Sequence, residues 1–404
     1  MLEGKYGEAV QLALEFQLRV GQFFGAEEFV PVTSVHMMAE VESMGEAGLR
    51  WVERLADYGQ KVCVPTTCNP RSVDFEFWEQ VGQDPEHVKL EVRLSRALER
   101  LGVLTVNTCI PYQVFGGPCF GEHIAWGDTG AVIFANSVMG ARTNYEGGPA
   151  ALAAGLTGRT PRYGYHLPQH RIGTVLVEVE DQPNLQSDWD ALGCYVGRLV
   201  NNYWEVPVLS GLKVRPTIDQ LKRLGASLAS FGSLAMFHLV GVTPEATTVE
   251  QAFGGREPRR RLIVPGGALR STYESFIPEK PEADLVVFSA PQLSVLELRD
   301  LAVRLQGKKI HSGTKLIVTT NDAYYSIARK LGYIQVIEAA GGQVLVGTCF
   351  YLMTPRELAE RFGYRTIVTD SAKLANIIAG YGYNPVFRPR EVCIEAALTG
   401  KIPW

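Results

Sequence analysis

The sequence predicts an α/β protein whose parallel or mixed sheets are flanked by helices. Three features point there. The last third alternates short apolar runs with longer amphipathic ones: DLVVFS, LSVLELRDLAVRLQG, KLIVTTN, AYYSIARKLGY, QVLVGTC, RELAERFGY. Strand and helix repeated in that rhythm form β-α units, with right-handed crossovers expected. Near the middle, RIGTVLVEVE reads as a further strand. Two Val- and Leu-rich runs, residues 101–108 (LGVLTVNT) and 342–348 (GQVLVGT), lead through Thr into Cys109 and Cys349. Such runs, bounded by turn residues, read as buried strands of a parallel sheet.

Taken in order, the chain begins with an amphipathic helix over about residues 7–24, carrying Glu and Lys and unlike a signal peptide. The strand-like FVPVTSVHM follows, then a helix over GEAGLRWVERLADYG, then KVCVPTTCNPR, a strand breaking into a Pro-bounded loop. Residues 111–126 are rich in Gly and Pro and read as loop. The stretch GAVIFANSVMGARTNYEGGPAALAAGLTG reads as a buried segment, a Gly-rich turn and a helix. Helices are expected over residues 188–200 and 217–224. Residues 247–281, with Arg256, Arg259, Arg260 and Arg261 among Gly and Pro, read as a solvated connector. This divides the chain into an N-terminal α/β region, residues 1–280, with two interleaved subdomains, and a C-terminal α/β domain, residues 281–404.

At 404 residues the chain is too long for one ordinary core. Its 46% hydrophobic and 20% charged content is that of a globular protein, and a net charge of −4 argues against nucleic acid or an anionic membrane as partner. No run approaches the roughly 20 apolar residues of a spanning helix. Seven scattered cysteines, an odd number, suit reduced thiols in a cytoplasm better than a disulfide framework.

Several constellations can carry chemistry. In open α/β sheets ligands bind at the carboxyl ends of strands, so Cys109 and Cys349 are candidate metal ligands or nucleophiles, or else buried small hydrophobes. The loop at residues 64–70 offers Thr66, Thr67 and Asn69, closed by Pro70, for an oxyanion or an Asx-type turn. Arg142, Asn144 and Glu146 fall within five residues beside glycines that permit close approach of a ligand. Arg142 suits a carboxylate or phosphate, or an internal pair with Glu146. After TIV, Ser371 and Lys373 open a helix, as an anion-binding and proton-moving pair or as a plain cap with a surface Lys. His123 and Asp128 in GEHIAWGDT are open to either reading.

VPTTCNP, TCIPY, FGEHIAWGDT, ANSVMGARTNYEGGPAALAAGLTGRTPRYGYH, GVTPEA, GTCF and DSAK, in that order, resemble the large subunit of aconitase X over nearly the whole chain. The resemblance implies a multi-domain aconitase-like catalytic body that pairs with a small swivelling subunit. It implies a hydro-lyase of a small hydroxylated carboxylic acid, family members dehydrating a phosphorylated mevalonate or cis-3-hydroxy-L-proline. It also implies an iron–sulfur cluster held by three cysteines, two matching Cys109 and Cys349. The third belongs to Gly-Cys-Pro-His, where this chain has Ser289, Ala290, Pro291 and Gln292. An alanine methyl cannot ligate iron. Either Cys68 or Cys119 substitutes, or a different metal is held, or none. After Ser34, where relatives carry a small Ser-Gly loop, this chain has Met38 and Glu40, which disfavour a phosphate and suit an ammonium or imino nitrogen. By the same resemblance Asn69, Thr129, Arg142 and Lys373 orient the substrate, Asp128 adds hydrogen bonds, and the base, a Ser alkoxide, comes from the small subunit. Two other readings remain: a cluster-free lyase, isomerase or cyclase using Lys373, His36 or Glu40, and a non-catalytic binding paralogue.

Overall fold

Three parallel sheets, one after another along the chain, frame the protein. The structure is a computed structural model and describes residues 1–403. Trp404, the last residue of the expected C-terminal domain, lies outside the described residues. The first sheet runs Thr66–Cys68, Val35–Met37, Ala125–Trp126, with Val35–Met37 central and all strands parallel. Helices Glu8–Phe23, Val41–Asp57, Pro85–Arg100 and Gly148–Thr157 surround it. Their inward residues Ala13, Leu49, Val52, Leu98 and Leu152 share one core with Val35 and Met37.

The second sheet has four strands in the order His238–Leu239, Pro207–Ser210, Val175–Val179, Arg260–Val264. Helices Gln186–Val200 and Ile218–Gly232 pack on it, the second begun by a reciprocal cap between Thr217 and Gln220. The third sheet has five strands, Gly342–Val346, Lys315–Thr320, Leu285–Phe288, Thr366–Thr369 and Asn384–Phe387. Its central strand Leu285–Phe288 is buried along its length, which is why LVVF is apolar without alternation.

Three expectations need correction. Residues 111–126 are not loop throughout: Pro111–Val114 is a short helix and Ala125–Trp126 an edge strand of the first sheet. Residues 101–108 do not form a regular strand; they run along the outer edge of the first sheet with one bridge, Leu104 with Thr67, and one further bond from the Thr108 amide to the Cys68 carbonyl. Leu104 faces solvent, and Asn107 between these contacts turns to a φ of 46°, which interrupts a regular ladder. The Arg-rich stretch is not wholly a connector. Arg260–Val264 is the edge strand of the second sheet, paired with Val175–Val179, and helix Ala268–Glu274 follows. Charge and exposure on Arg260 and Arg261 hid the strand from a periodicity reading, yet they are what protects an open sheet edge from pairing with another chain.

Candidate active site

The carboxyl ends of the first and third sheets face one another, and the residues that follow their strands meet there. From the first sheet come Glu40 beyond Val35–Met37, Asn69 beyond Thr66–Cys68, and Asp128 beyond Ala125–Trp126. From the third come Ser289 and Ala290 beyond Leu285–Phe288, Cys349 beyond Gly342–Val346, and Ser371 and Lys373 beyond Thr366–Thr369. Close approach requires Gly127 at the exit of its strand, because a Cβ there would stand 2.6 Å from the Glu146 carbonyl oxygen.

Lys373 and Asp128 are fully buried, with Nζ 3.7 Å from Oδ2. Asp128 caps helix Thr129–Phe134 through Oδ1, which accepts from the Gly130 and Ala131 amides, so Oδ2 alone is left for the ammonium. Burial works to discharge Lys373, but Asp128 and the two nearby thiols outweigh it and hold its pKa above the usual value. Lys373 is therefore a cation with a proton to give, and it stands over the Tyr351 ring at 5.8 Å. Ser371 accepts from the Leu374 amide as helix cap and donates to the Ala290 carbonyl at 2.6 Å. Both of its capacities are in use, which makes it a structural tie between strand ends.

His36 stands beside this pair. Its Nδ1 meets Thr67 Oγ1 at 2.8 Å, and that hydroxyl donates to the Val35 carbonyl at 3.3 Å. A hydroxyl has one proton to give, so this network assigns the proton to Nδ1 and leaves Nε2 with a free lone pair. Nε2 is buried and unpartnered, as are both amide atoms of Asn69 and Oδ2 of Asp128 beyond its ammonium contact. Burial lowers the His36 pKa to about 4, so the ring is neutral at pH 7. Glu40 accepts from Ser43, its Oε2 is unpartnered, and burial raises its pKa to about 8. Orphaned buried polar atoms are rare in native proteins, and these cluster where a polar ligand would sit.

Cys109 and Cys349 reach the same place. The Gln292 amide N–H donates to Cys109 Sγ at 3.3 Å, and Ser289 Oγ lies 3.5 Å from Cys349 Sγ. Burial and the neighbouring Cys349 push the Cys109 thiol far up; burial lifts Cys349 to about 11. The third corner expected of a cluster site is closed. Ala290 is buried at a φ of 54°, with its carbonyl engaged by Ser371. Ser289 is committed to Thr319 and the Phe350 amide. Neither expected substitute serves: Cys68 is buried and donates to Asn107, and Cys119 is exposed. Among the described residues no group of three His, Cys, Asp or Glu is placed to hold a metal. The donor set does not fit a cluster held by three thiolates.

Gln292 fills the gap in a different way. Its Nε2 donates toward the carbonyls of Asn107, Thr320 and Thr348 at 3.1, 3.3 and 3.0 Å, while Oε1 accepts from Thr108 at 2.9 Å. One side chain thus fastens the two cysteine-bearing loops together. Gln292→Leu, similar in size but unable to bond, strands several buried polar groups at about 1–3 kcal/mol each. Thermal melting should show the loss, and a melting point equal to the parent's would contradict this role.

The other expected residues are not brought to this place. His123 and Arg142 pair at the opposite, amino-terminal end of strand Ala125–Trp126, with His123 Nδ1 2.9 Å from His166 Nδ1. Arg142 makes no ion pair with Glu146, and its charged neighbours are Arg171, Glu245 and Arg162. Asn144 is structural, donating to the Tyr163 carbonyl and accepting from the Tyr165 amide. Glu146 turns away to Thr160. Thr66 donates to the Val64 carbonyl, and Thr129 only begins the helix that Asp128 caps. Pro70 is buried next to Asn69.

One functional group of residues was invisible in the sequence. Behind the site Arg223 contacts Asp190, Glu297 and Asp370 at 3.1, 3.0 and 3.2 Å. Lys222 pairs with Glu297, and Arg390 with Asp370 at 2.7 Å. This network ties helix Ile218–Gly232 of the second region to the strand end that carries Ser371 and Lys373. Its members lie far apart in number and inside ordinary amphipathic helices, so no spacing reveals them.

A polar site between the strand ends of two parallel sheets is what the fold defines, and comparison with known proteins gives the family. Models of the aconitase X first, second and third domains match residues 1–169, 173–274 and 283–399. The chain belongs to the aconitase X family. It is 36% identical over 381 residues to the phosphomevalonate dehydratase large subunit of Methanothermobacter thermautotrophicus, covering 94% of this chain and 92% of that one. It is 35% identical over 407 residues to the cis-3-hydroxy-L-proline dehydratase of Pseudomonas aeruginosa, covering all of this chain and 69% of that protein. The crystal structure of Thermococcus kodakaraensis aconitase X in its holo-form superposes with a TM-score of 0.86 at 31% identity, over 98% of this chain and 97% of the other. No helix among the described residues is long and apolar enough to cross a membrane.

Proposed function

We propose that this chain is the catalytic large subunit of a hydro-lyase that removes water from a small hydroxylated carboxylic acid resembling cis-3-hydroxy-L-proline. The observation that carries this reading is the buried Lys373–Asp128 pair at the junction of two sheets, ringed by unsatisfied polar atoms. In the dehydration a base takes the proton from the carbon next to the carboxylate, its electron pair forms the double bond, and the neighbouring hydroxyl leaves. The Lys373 ammonium gives that hydroxyl its proton, so water departs rather than hydroxide. Asn69 holds polar groups of the substrate, and Asp128 keeps Lys373 charged and aimed. Glu40 is largely protonated at pH 7 in the free chain and ionises when a substrate nitrogen supplies the opposite charge. Bulky Met38 and this carboxyl disfavour phosphomevalonate.

The proton-abstracting base is read as belonging to a small swivelling subunit. That the archaeal relatives are named large subunits, and that the Pseudomonas enzyme is longer, supports a partner of this kind. The purified chain alone should be inactive and should turn over substrate when the small subunit is added. Activity without the partner would contradict this division of labour.

One observation favours a second reading, in which the base lies within this chain: the free, neutral Nε2 of His36. His36→Gln keeps a donor for Thr67 but no basic lone pair. On that reading kcat of the complex falls by roughly 10²–10⁴; an unchanged kcat assigns the base to the partner. As for the cofactor, the donor set supports a site without a three-thiolate cluster, leaving a different metal or none. Anaerobically isolated complex should carry little iron and sulfide, and Ala290→Cys, by supplying the third thiol, should raise both with a visible absorption band. Stoichiometric iron and sulfide in the unaltered protein would overturn this.

A further inference from the structure

Away from the strand ends, a second cavity of about 500 Å³ opens between the first helix, the Gly147–Pro149 turn and the segment after helix Gln186–Val200. Its walls are aromatic. Phe24 and Tyr163 stack with ring centres 4.5 Å apart and planes 3° from parallel. Tyr203 meets Trp204 edge to face at 4.7 Å and Tyr145 at 5.8 Å. The Tyr145 hydroxyl is engaged with the Leu234 carbonyl, and that of Tyr203 with Asn144. The hydroxyls of Tyr145 and Tyr203 are thus turned toward protein, and their rings are left to the cavity.

Among these rings sits one charged group, Glu146, only 4% exposed. Its Oε1 accepts from Thr160 at 3.1 Å, and among the described residues Oε2 accepts no hydrogen bond and no cation pairs with it. Burial raises its pKa to about 7, as befits a carboxylate without a counter-ion. A buried carboxylate is costly unless paired, and aromatic faces around a charge favour cations. A purely apolar ligand would explain the rings but not Glu146; an anion would be repelled by both.

We infer that this cavity is a binding site for a small organic cation of the alkylammonium class, held between the Phe24, Tyr163, Tyr203 and Trp204 rings with its charge against Glu146. The site is separate from the Lys373–Asp128 centre and does not depend on the reaction proposed there. The two are neighbours through the backbone: the Glu146 amide donates to the Trp126 carbonyl, two residues before Asp128.

The test uses choline chloride as probe and its uncharged isostere 3,3-dimethyl-1-butanol as control, titrated into the full chain, alone and with the small subunit, by ligand-observed NMR. Choline should bind saturably, and the isostere at least about tenfold more weakly, the order expected when a desolvated charge–ring contact is lost. Glu146→Gln and Trp204→Ala should each abolish the preference; Trp204 is half-exposed, so its loss leaves the core intact. The double variant Lys373→Met, Asp128→Asn, which leaves no unpaired buried charge, should keep choline binding unchanged, which separates failure here from failure of the proposed reaction. Equal binding of both probes, no saturation by choline, or undiminished binding in Glu146→Gln would overturn the inference.

Discussion

Replacing Lys373 by Met should cost the complex about 10³-fold or more in kcat while leaving KM within a few-fold, because the proton given to the departing hydroxyl matters only as the bond breaks. Its charged neighbour is the Asp128 carboxylate, and burial holds the Cys109 and Cys349 thiols protonated and neutral, so among the described residues no second cation stands beside it. The substitution also leaves the Asp128 carboxylate facing an apolar methyl, and an uncompensated buried charge destabilises the fold. The double variant Lys373→Met, Asp128→Asn removes that charge and should recover stability without recovering turnover. Recovery of both, or kcat within about tenfold of the parent in the single variant, would show that the pair is structural.

The second large effect lies behind the site. Glu297→Gln should lower stability by roughly 3–5 kcal/mol, because buried Lys222, Arg223 and Arg390 each lose their contact to its charge and keep only those to Asp190, Asp219, Asp300 and Asp370. Burial alone would raise the Glu297 pKa, but Lys222, Arg223 and Arg390 overcome it and hold the carboxyl well below its usual range. A carboxyl depressed on folding contributes stability that is complete above its unfolded value, near 4.3, and is lost as pH falls toward its folded value. The parent should therefore unfold steeply below about pH 4, and the Gln variant should be less stable at neutral pH with a shallower acid limb. Parallel melting curves of the two proteins from pH 7 to pH 3 would refute the network's part in stability. Because the network anchors Asp370, beside Ser371, its loss should also depress kcat by loosening Lys373.

The strand–helix rhythm and the motif loops were readable because each is local: VPTTCNP, GDT, GTC and DSAK all follow strands, and strand ends are where an open sheet presents side chains to ligands. Asp128, Asn69, Lys373 and Cys349 could be found that way, whereas the strand expected before Cys109 does not form. Distance in space could not. Arg142 and His123 look equally chemical in sequence, yet they sit at the wrong end of strand Ala125–Trp126. Gln292 is one unremarkable amide until the loops it joins are folded around it, and the Lys222–Glu297 network is hidden inside amphipathic helices. The Arg-rich edge strand was masked by its own charge. Periodicity reports which face is buried, but says nothing of which charge a buried face will meet.

The central claim is that Lys373 and Asp128 serve a dehydration completed by a second subunit. It is tested most directly by adding the small subunit to the purified chain with cis-3-hydroxy-L-proline and following loss of substrate by proton NMR. Turnover that requires both subunits and vanishes in Lys373→Met is the predicted result. Turnover by this chain alone, or undiminished turnover by the Lys373→Met complex, would contradict it.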